Sequence, residues 1–452
     1  MNNLEETIVA KSTPNGLGAI ALIRLSGPKS ISIASSCFSK NLEKVKPNTI
    51  HFGEITDDKG VIDEVLISIF KNPKSFTGED TIEISTHGND YIVERVIQRL
   101  ILAGAKPAGK GEFTMRAFLN GKMDLSQAEA VADMIVADSY GAHKLALEQM
   151  RGGYSEHMKI LRQNLLDFAS LIELELDFGE EDVEFADRQK LVELIDEILL
   201  KIESLIHTFK HGNAIKQGVP LALVGRPNAG KSTLLNALLQ ENRAIVSPEA
   251  GTTRDTIEEI LILDGTKFRL IDTAGIRSTD SLIEKEGIER TYEQVAKAEK
   301  VIYLFDPLLN SKEDIVADLK GLGALEKVWI VCNKSDLLNP VQIEDWRKEF
   351  PRILFISSKF DKLTELRTGL MKLTKKENNQ AEITLTNTRH FESLHSASIA
   401  LKDVKEGLEA QLSGELLAFH INDALDALGQ ITGNVTNDEL LGNIFGRFCI
   451  GK

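Results

Sequence analysis

The chain has 452 residues, 42% of them hydrophobic, and a formal net charge of −15. That length suggests about three domains, and no apolar run is long enough to span a bilayer. The acidic balance argues against a protein that grips nucleic acid unaided, because phosphate neutralisation calls for a basic face and none is evident.

The amino terminus, Met1-Asn2-Asn3-Leu4-Glu5-Glu6, is acidic rather than basic, unlike a signal peptide. Residues 1–120 alternate strand-like runs (19–25, 65–70 and 81–85) with a helical stretch at 92–102, which predicts an α+β domain. From about Asp124 the pattern turns helical. Ala128, Val131, Ala132, Ile135 and Val136 fall at three- and four-residue intervals, continued by Leu161, Leu165 and Phe168 and by the stretch 191–206. The acidic run 177–182 reads as a solvated loop. A compact α/β module follows at 216–375 and leaves through the polar segment 375–380. Leu394, Ala397, Leu401, Val404 and Leu408 then mark an amphipathic helix. Helices on both sides suggest that the module is inserted into one discontinuous helical domain, 121–215 plus 376–452. Cys37, Cys332 and Cys449 are odd in number and widely separated, so they offer neither a metal spacing nor a disulfide framework. A reducing, cytoplasmic setting is the expectation. Cys449 superficially suggests prenylation, but Gly451 and Lys452 match that signal poorly.

The α/β module carries the chemistry. Gly225-Arg226-Pro227-Asn228-Ala229-Gly230-Lys231-Ser232 fits the phosphate-binding pattern G-x-x-x-x-G-K-[ST]. It follows the apolar run 219–224, which suits a buried parallel strand with Pro220 near its start, and opens a helical pattern from Lys231. The glycines let main-chain N–H groups close around phosphates at the positive end of that helix. Lys231 would contact the β and γ phosphates, and the Ser232 hydroxyl would ligate Mg²⁺. Asp272-Thr273-Ala274-Gly275 follows a second strand-like run, which places Asp272 toward the Mg²⁺ region and lets the Gly275 N–H meet the γ phosphate. Asn333-Lys334-Ser335-Asp336 follows a third. The Asp336 carboxylate can accept from N1–H and the 2-amino group of guanine, two donors that adenine lacks, so GTP is selected over ATP.

Small regulatory GTPases carry a water-orienting Gln directly after the Asp-x-x-Gly element. Here that position is Ile276, which cannot accept a hydrogen bond. Downstream, Asp280, Glu284 and Glu286 are alternative carboxylates for positioning the water, and the residues alone do not choose among them. Upstream, Gly251-Thr252-Thr253-Arg254-Asp255 offers a threonine for the γ phosphate and Mg²⁺. Arg254 and Arg277 are candidate arginine fingers in cis.

The Gly-Arg-Pro-Asn-Ala-Gly-Lys-Ser, Gly-Thr-Thr-Arg-Asp and Asp-Thr-Ala-Gly elements are shared by translation-linked bacterial GTPases. The early Phe76-Thr77-Gly78-Glu79-Asp80 and the final Phe448-Cys449-Ile450-Gly451-Lys452 narrow that set. Over essentially its full length the chain resembles the MnmE (TrmE) family of tRNA-modification GTPases. The resemblance implies a K⁺ ion on Asn228, Ser247, Glu249 and Thr252, sitting where other GTPases receive an arginine finger. It implies Mg²⁺ on Ser232 and Thr253, a catalytic role for Glu284 in orienting water, and catalytic contributions from Asn228 and Lys231. GTP contacts would run through Asn228, Ala229, Gly230, Lys231, Ser232, Thr233, Ser247, Thr252, Thr253, Asp272, Thr273, Ala274, Gly275, Asn333, Lys334, Asp336 and Ser357.

The resemblance also implies a tetrahydrofolate derivative (5-formyl- or methylene-tetrahydrofolate) in the amino-terminal domain, at Arg24, Glu83, Lys122 and Lys452. On their own terms Arg24 and Lys122 read as surface charges, and Glu83, between Ile82 and Ile84, as an outward-facing strand residue. The family implies a homodimer through the amino-terminal domain and a heterotetramer with the FAD protein MnmG, which would supply most of the grip on tRNA. The activity implied is K⁺-stimulated GTP hydrolysis coupled to placing a (carboxymethyl)aminomethyl group on carbon 5 of the wobble uridine. A ribosome-assembly GTPase is the alternative, but it would need an appended RNA-binding module such as a KH domain, and the tail shows no GXXG loop. A membrane GTPase would need hydrophobic spans.

Overall fold

The computed structural model describes residues 5–177, 188–240, 259–263, 266–271, 295–323, 325–360, 363–375 and 384–451. The amino-terminal part runs β1 (Ile8–Lys11), β2 (Ile20–Ser26), α1 (Ser30–Cys37), β3 (Thr49–Asp57), β4 (Gly60–Phe70), β5 (Thr81–His87), α2 (Asp90–Leu102), β6 (Lys106–Pro107) and α3 (Glu112–Leu119). Its six-stranded sheet has the order β3-β4-β5-β2-β1-β6, as an α+β domain requires. Strand alternation sorts the side chains onto two faces. Ile23 and Leu25, Val65 and Ile67, and Ile82 and Ile84 face a core closed by Ile33 of α1 and by Val93, Val96 and Leu100 of α2. On β1, Val9 joins that core while its neighbours Ile8 and Ala10 join a smaller cluster with Ala108, Phe113 and Phe76. Ala10 pairs with Arg24, and Arg24 with Glu83, so that smaller cluster shares its face with this pair.

Helices α4 (Leu125–Val136), α5 (Tyr140–Met150), α6 (Gly153–Asp177) and α7 (Arg188–Gln217) come next. The nucleotide-type module follows as β7 (Val219–Val224), α8 (Lys231–Gln240), β8 (Glu259–Leu263), β9 (Thr266–Ile271), β10 (Lys300–Phe305), α9 (Lys312–Leu322), β11 (Val328–Cys332), α10 (Pro340–Glu349), β12 (Leu354–Phe355) and α11 (Thr364–Lys375). Helices α12 (Thr388–Glu409), α13 (Gly414–Thr432) and α14 (Asp438–Phe445) follow it. The amphipathic spacing read on α12 is realised: Leu394, Ala397, Leu401, Val404 and Leu408 are all buried.

The second sheet has the order β12-β11-β10-β7-β9-β8. Every neighbouring pair is parallel except β8 with β9. Both faces are covered, which explains the unbroken apolar character of β7. Leu221 and Leu223 pack on Leu234, Leu235 and Leu238 of α8 and on Leu366 and Leu370 of α11. Ala222 and Val224 pack with Ile315 and Leu319 of α9 and with Trp346 of α10. The chain divides into two compact units: Met1–Ile135 with Leu147–Ile198 and Ser396–Lys452, and Val136–Ala146 with Leu199–His395. No helix among the described residues is long and apolar enough to cross a membrane.

Candidate functional site

The loop between β7 and α8 leaves the carboxyl end of a central parallel strand, where open α/β sheets bind their ligands. Its backbone is specialised. Asn228 takes a left-handed φ of 63° and Gly230 a φ of 94°. A Cβ at Gly230 would lie 2.3 Å from Asn333 Nδ2, so only glycine fits there. Lys231 Nζ donates to the carbonyls of Gly225 at 2.6 Å and Arg226 at 2.9 Å. Burial holds the pKa of this ammonium below its ordinary value. Neutral carbonyls are weaker acceptors than anionic oxygens, so phosphate would compete well for the same group. Ser232 is half-buried and Thr233 exposed on the first turn of α8.

The base-type element sits at the end of β11, against this loop. Asn333 Nδ2 donates to the Ala229 carbonyl at 2.9 Å. Asn333 Oδ1 accepts from Ser358 N at 3.1 Å and from Ser358 Oγ at 2.9 Å. Lys334, at a φ of 55°, pairs with Asp306 Oδ2 at 2.5 Å. Asp336 accepts a hydrogen bond from Ser357 Oγ. Burial, with the Asp306 carboxylate second, pushes the neighbouring Cys332 thiol up to about 12. The structure brings together the expected Asn333, Lys334, Asp336 and Ser357 and adds Ser358 and Asp306, which the sequence did not single out. A weak signal existed: both follow strands of the same parallel sheet, β12 and β10, whose carboxyl ends share one edge.

A second omission is the anchor of the loop's own arginine. Arg226 donates to Asp318 Oδ2 at 2.8 Å through Nε and to Oδ1 at 3.0 Å through Nη2, and reaches Asp314 Oδ1 at 3.0 Å. Tyr303 donates its hydroxyl to the same Asp318 at 2.5 Å. Burial pushes the Asp318 carboxyl up, but the Arg226 and Tyr303 hydrogen bonds outweigh it and hold the group below its ordinary value. This bidentate contact ties the loop to α9.

Ser247, Glu249, Thr252, Thr253, Asp272, Thr273, Ala274, Gly275, Glu284 and Lys452 lie outside the described residues, as do Ile276, the alternative carboxylates Asp280 and Glu286, and the candidate fingers Arg254 and Arg277. Asn228 and Ser232 are therefore the described members of the expected K⁺ and Mg²⁺ sets. Among the described residues no group of three or more His, Cys, Asp or Glu could hold a metal ion.

In the amino-terminal sheet, Arg24 is not the free surface charge that its residue type suggests. Its Nε and Nη2 both donate to Glu83 Oε1, at 2.9 and 2.7 Å, across the β2–β5 register. Lys122, which is exposed, donates to the Pro73 carbonyl at 2.9 Å. The carboxyl-terminal stretch comes to the same sheet. Ile450 bridges Lys110, and the Gly451 carbonyl accepts from Ser12 Oγ at 3.1 Å, just beyond β1.

A doubly covered parallel sheet, a phosphate loop after its central strand and a guanine-type tetrapeptide against that loop define a P-loop GTPase module. Sequence patterns of known families cover nearly the whole chain. That of the GTP-binding protein TrmE N-terminus matches residues 7–122, and that of the MnmE helical domain matches residues 125–449. The tRNA modification GTPase MnmE of Flavobacterium psychrophilum is 51% identical over 465 residues, covering 99% of each chain. Its counterpart in Cytophaga hutchinsonii is 50% identical over 456 residues, covering 100% of this chain and 99% of its own. Among solved structures, the G domain of the T. maritima FeoB iron transporter overlaps 35% of this chain and 99% of its own, at 26% identity and a TM-score of 0.26. The chain belongs to the MnmE (TrmE) family and is a GTP hydrolase of tRNA modification.

Proposed function

We propose that the chain is a K⁺-stimulated GTPase that works with a flavoprotein of the MnmG type. Together they would place a (carboxymethyl)aminomethyl group on carbon 5 of the wobble uridine of certain tRNAs. When bound, K⁺ and Mg²⁺ would supply positive charge beside the transferring phosphoryl group, and a tetrahydrofolate derivative would supply the carbon. The observation carrying the hydrolytic part is the pairing of Asn228, held in a left-handed conformation within the loop, with Ile276 at the place of the usual glutamine. With no side-chain amide to orient water, the chain needs another source of order and charge.

In this reading Asn228, Ser247, Glu249 and Thr252 hold K⁺, and Ser232 and Thr253 hold Mg²⁺. Lys231 contacts the β and γ phosphates, Asp336 reads guanine, and Glu284 orients the water. Residues 216–375 form the GTPase domain, 121–215 plus 376–452 the helical domain, and 1–120 the folate-binding, dimer-forming domain. Arg24, Glu83, Lys122 and Lys452 take the folate. Its support is chemical fit: of the two Glu83 oxygens Arg24 bonds Oε1, which leaves Oε2 for an amino-pterin edge, while lysine ammonium groups suit the folate carboxylates. The protein acts as a homodimer in the cytoplasm and reaches tRNA mainly through its partner.

Nucleoside analysis of tRNA from cells lacking the protein is the decisive test. Loss of the modified wobble uridine is expected, and unchanged wobble uridines would overturn the assignment. Hydrolysis at equal rates in K⁺ and Na⁺ buffers would remove the K⁺ site.

A further inference from the structure

The segment Phe76-Thr77-Gly78-Glu79-Asp80, just before β5, takes no part in the nucleotide chemistry, yet the side chains of Phe76, Thr77, Glu79 and Asp80 are all engaged. Asp80 Oδ1 accepts from the Asn72 backbone at 2.9 Å. Thr77 Oγ1 lies 2.6 Å from Ser26 Oγ, and the Thr77 carbonyl accepts from Asn120 Nδ2 at 2.8 Å. Glu79 Oε2 is 2.6 Å from Ser26 Oγ, and both Glu79 oxygens accept from Arg116 Nη1, at 3.2 and 3.3 Å. Arg116 is 1% exposed and donates also to Glu112 at 2.9 Å and to the Glu6 carbonyl at 2.8 Å.

A buried ionic cluster of this kind is a poor source of net stability, because desolvation offsets much of its Coulombic gain. Its effect is geometric: it fixes the path of the loop. Besides these bonds and the packing of Phe76 on Ile8 and Ala10, two contacts of the fixed loop reach cations of the proposed folate set. The Phe76 ring lies 5.3 Å from Arg24 Cζ, with the buried Phe113 ring at 5.8 Å. Gly78, at a φ of 78°, lies under Lys122, and a Cβ there would sit 3.2 Å from Lys122 Cγ. The Lys122 ammonium is held in turn by the carbonyl of Pro73 in the same loop.

We propose that this loop is the positioning element of the folate-type site and that Phe76 is its key positioning residue. By packing against the Arg24 guanidinium, Phe76 holds the Arg24–Glu83 pair in one orientation, so that the free carboxylate oxygen of Glu83 meets a flat, amino-bearing heterocycle without reordering. Gly78 leaves room for Lys122 beside it. The inference rests on the folate reading above.

The test is calorimetric titration of the full-length protein with 5-formyltetrahydrofolate, using wild type, Arg24→Ala, Phe76→Leu and Phe76→Tyr. GTP hydrolysis, whose residues lie on other elements, and melting temperature serve as controls. Loss of a partly desolvated cation–π contact predicts binding about fivefold to tenfold weaker for Phe76→Leu. Phe76→Tyr should restore affinity, and both variants should keep the wild-type hydrolysis rate and melting temperature. If Phe76→Leu binds like wild type while Arg24→Ala does not, the positioning role is overturned and the folate reading stands. Wild-type protein that fails to bind overturns both. A parallel fall in binding, hydrolysis and melting temperature that tyrosine does not rescue reduces Phe76 to core packing and overturns the proposal.

Discussion

Asn333→Ala should damage the phosphate loop from outside it. The Asn333 side chain is 2% exposed and makes three hydrogen bonds: one to Ala229 O, and two from Ser358. Truncation leaves the Ala229 carbonyl and the Ser358 N–H without these partners. At about 1–3 kcal/mol for each unsatisfied buried group, the local cost is about 2–6 kcal/mol. These bonds exist before any ligand arrives, so the cost falls first on the ordering of residues 226–230. It reaches affinity only as the price of reordering the loop on binding. Affinity for GTP, read with a fluorescent nucleotide analogue, should fall about 10- to 1,000-fold. Ser358→Ala removes the hydroxyl bond alone, near 1 kcal/mol, and should cost about fivefold. Since Ser358 Oγ acts through Asn333, the double variant should bind no worse than Asn333→Ala, a coupling of about 1 kcal/mol. Strictly additive losses, or an Asn333→Ala protein within twofold of wild type, would refute the proposed link between the two elements.

Asp318 makes a pH-dependent prediction. Its folded-state pKa lies below its ordinary value, so its stabilising effect is present above about pH 4 and is lost as pH falls through the folded value. The difference in melting temperature between wild type and Asp318→Asn should be widest near neutrality and shrink below about pH 4; a constant gap would count against the tether. Cys332 is buried with its thiol pushed up to about 12, Cys37 is buried and Cys449 is exposed. Iodoacetamide at about pH 8 should therefore label Cys449 alone in the native protein and all the cysteines after unfolding; early labelling at Cys332 would show that β11 opens readily. Gly230→Ala forces a side chain to 2.3 Å from Asn333 Nδ2 and should abolish measurable GTP binding while leaving the amino-terminal unit folded, which circular dichroism and nucleotide binding together would check.

Much of the GTPase site was legible because its elements are short and contiguous. A strand, a glycine-rich turn and a helix start follow one another from Val219 to Ser232. The tetrapeptide at Asn333 directly follows its own strand. Helices such as α12 were visible through their periodicity, since one face had to be apolar whatever it packed on. The contacts that hold these pieces together were not visible. Arg226 and Asp318, Asn333 and Ser358, and Lys334 and Asp306 are far apart in sequence: the first pair meets because α9 packs on the face of β7, and the other two because parallel strands end at one edge. In the amino-terminal sheet the limit is register. Arg24 opposes Glu83 because β2 and β5 pair as they do, and a slip of one residue would send either side chain to the other face. Sequence periodicity can mark Glu83 as outward-facing, but it carries no information about which cation lies across from it or that a phenylalanine from a preceding loop packs on that cation. Local chemistry is written in consecutive residues. Pairing between distant segments depends on the packing that brings them together, and that is where the protein fixed its phosphate-type loop, its Asn333–Asp336 element and its Arg24–Glu83 pair.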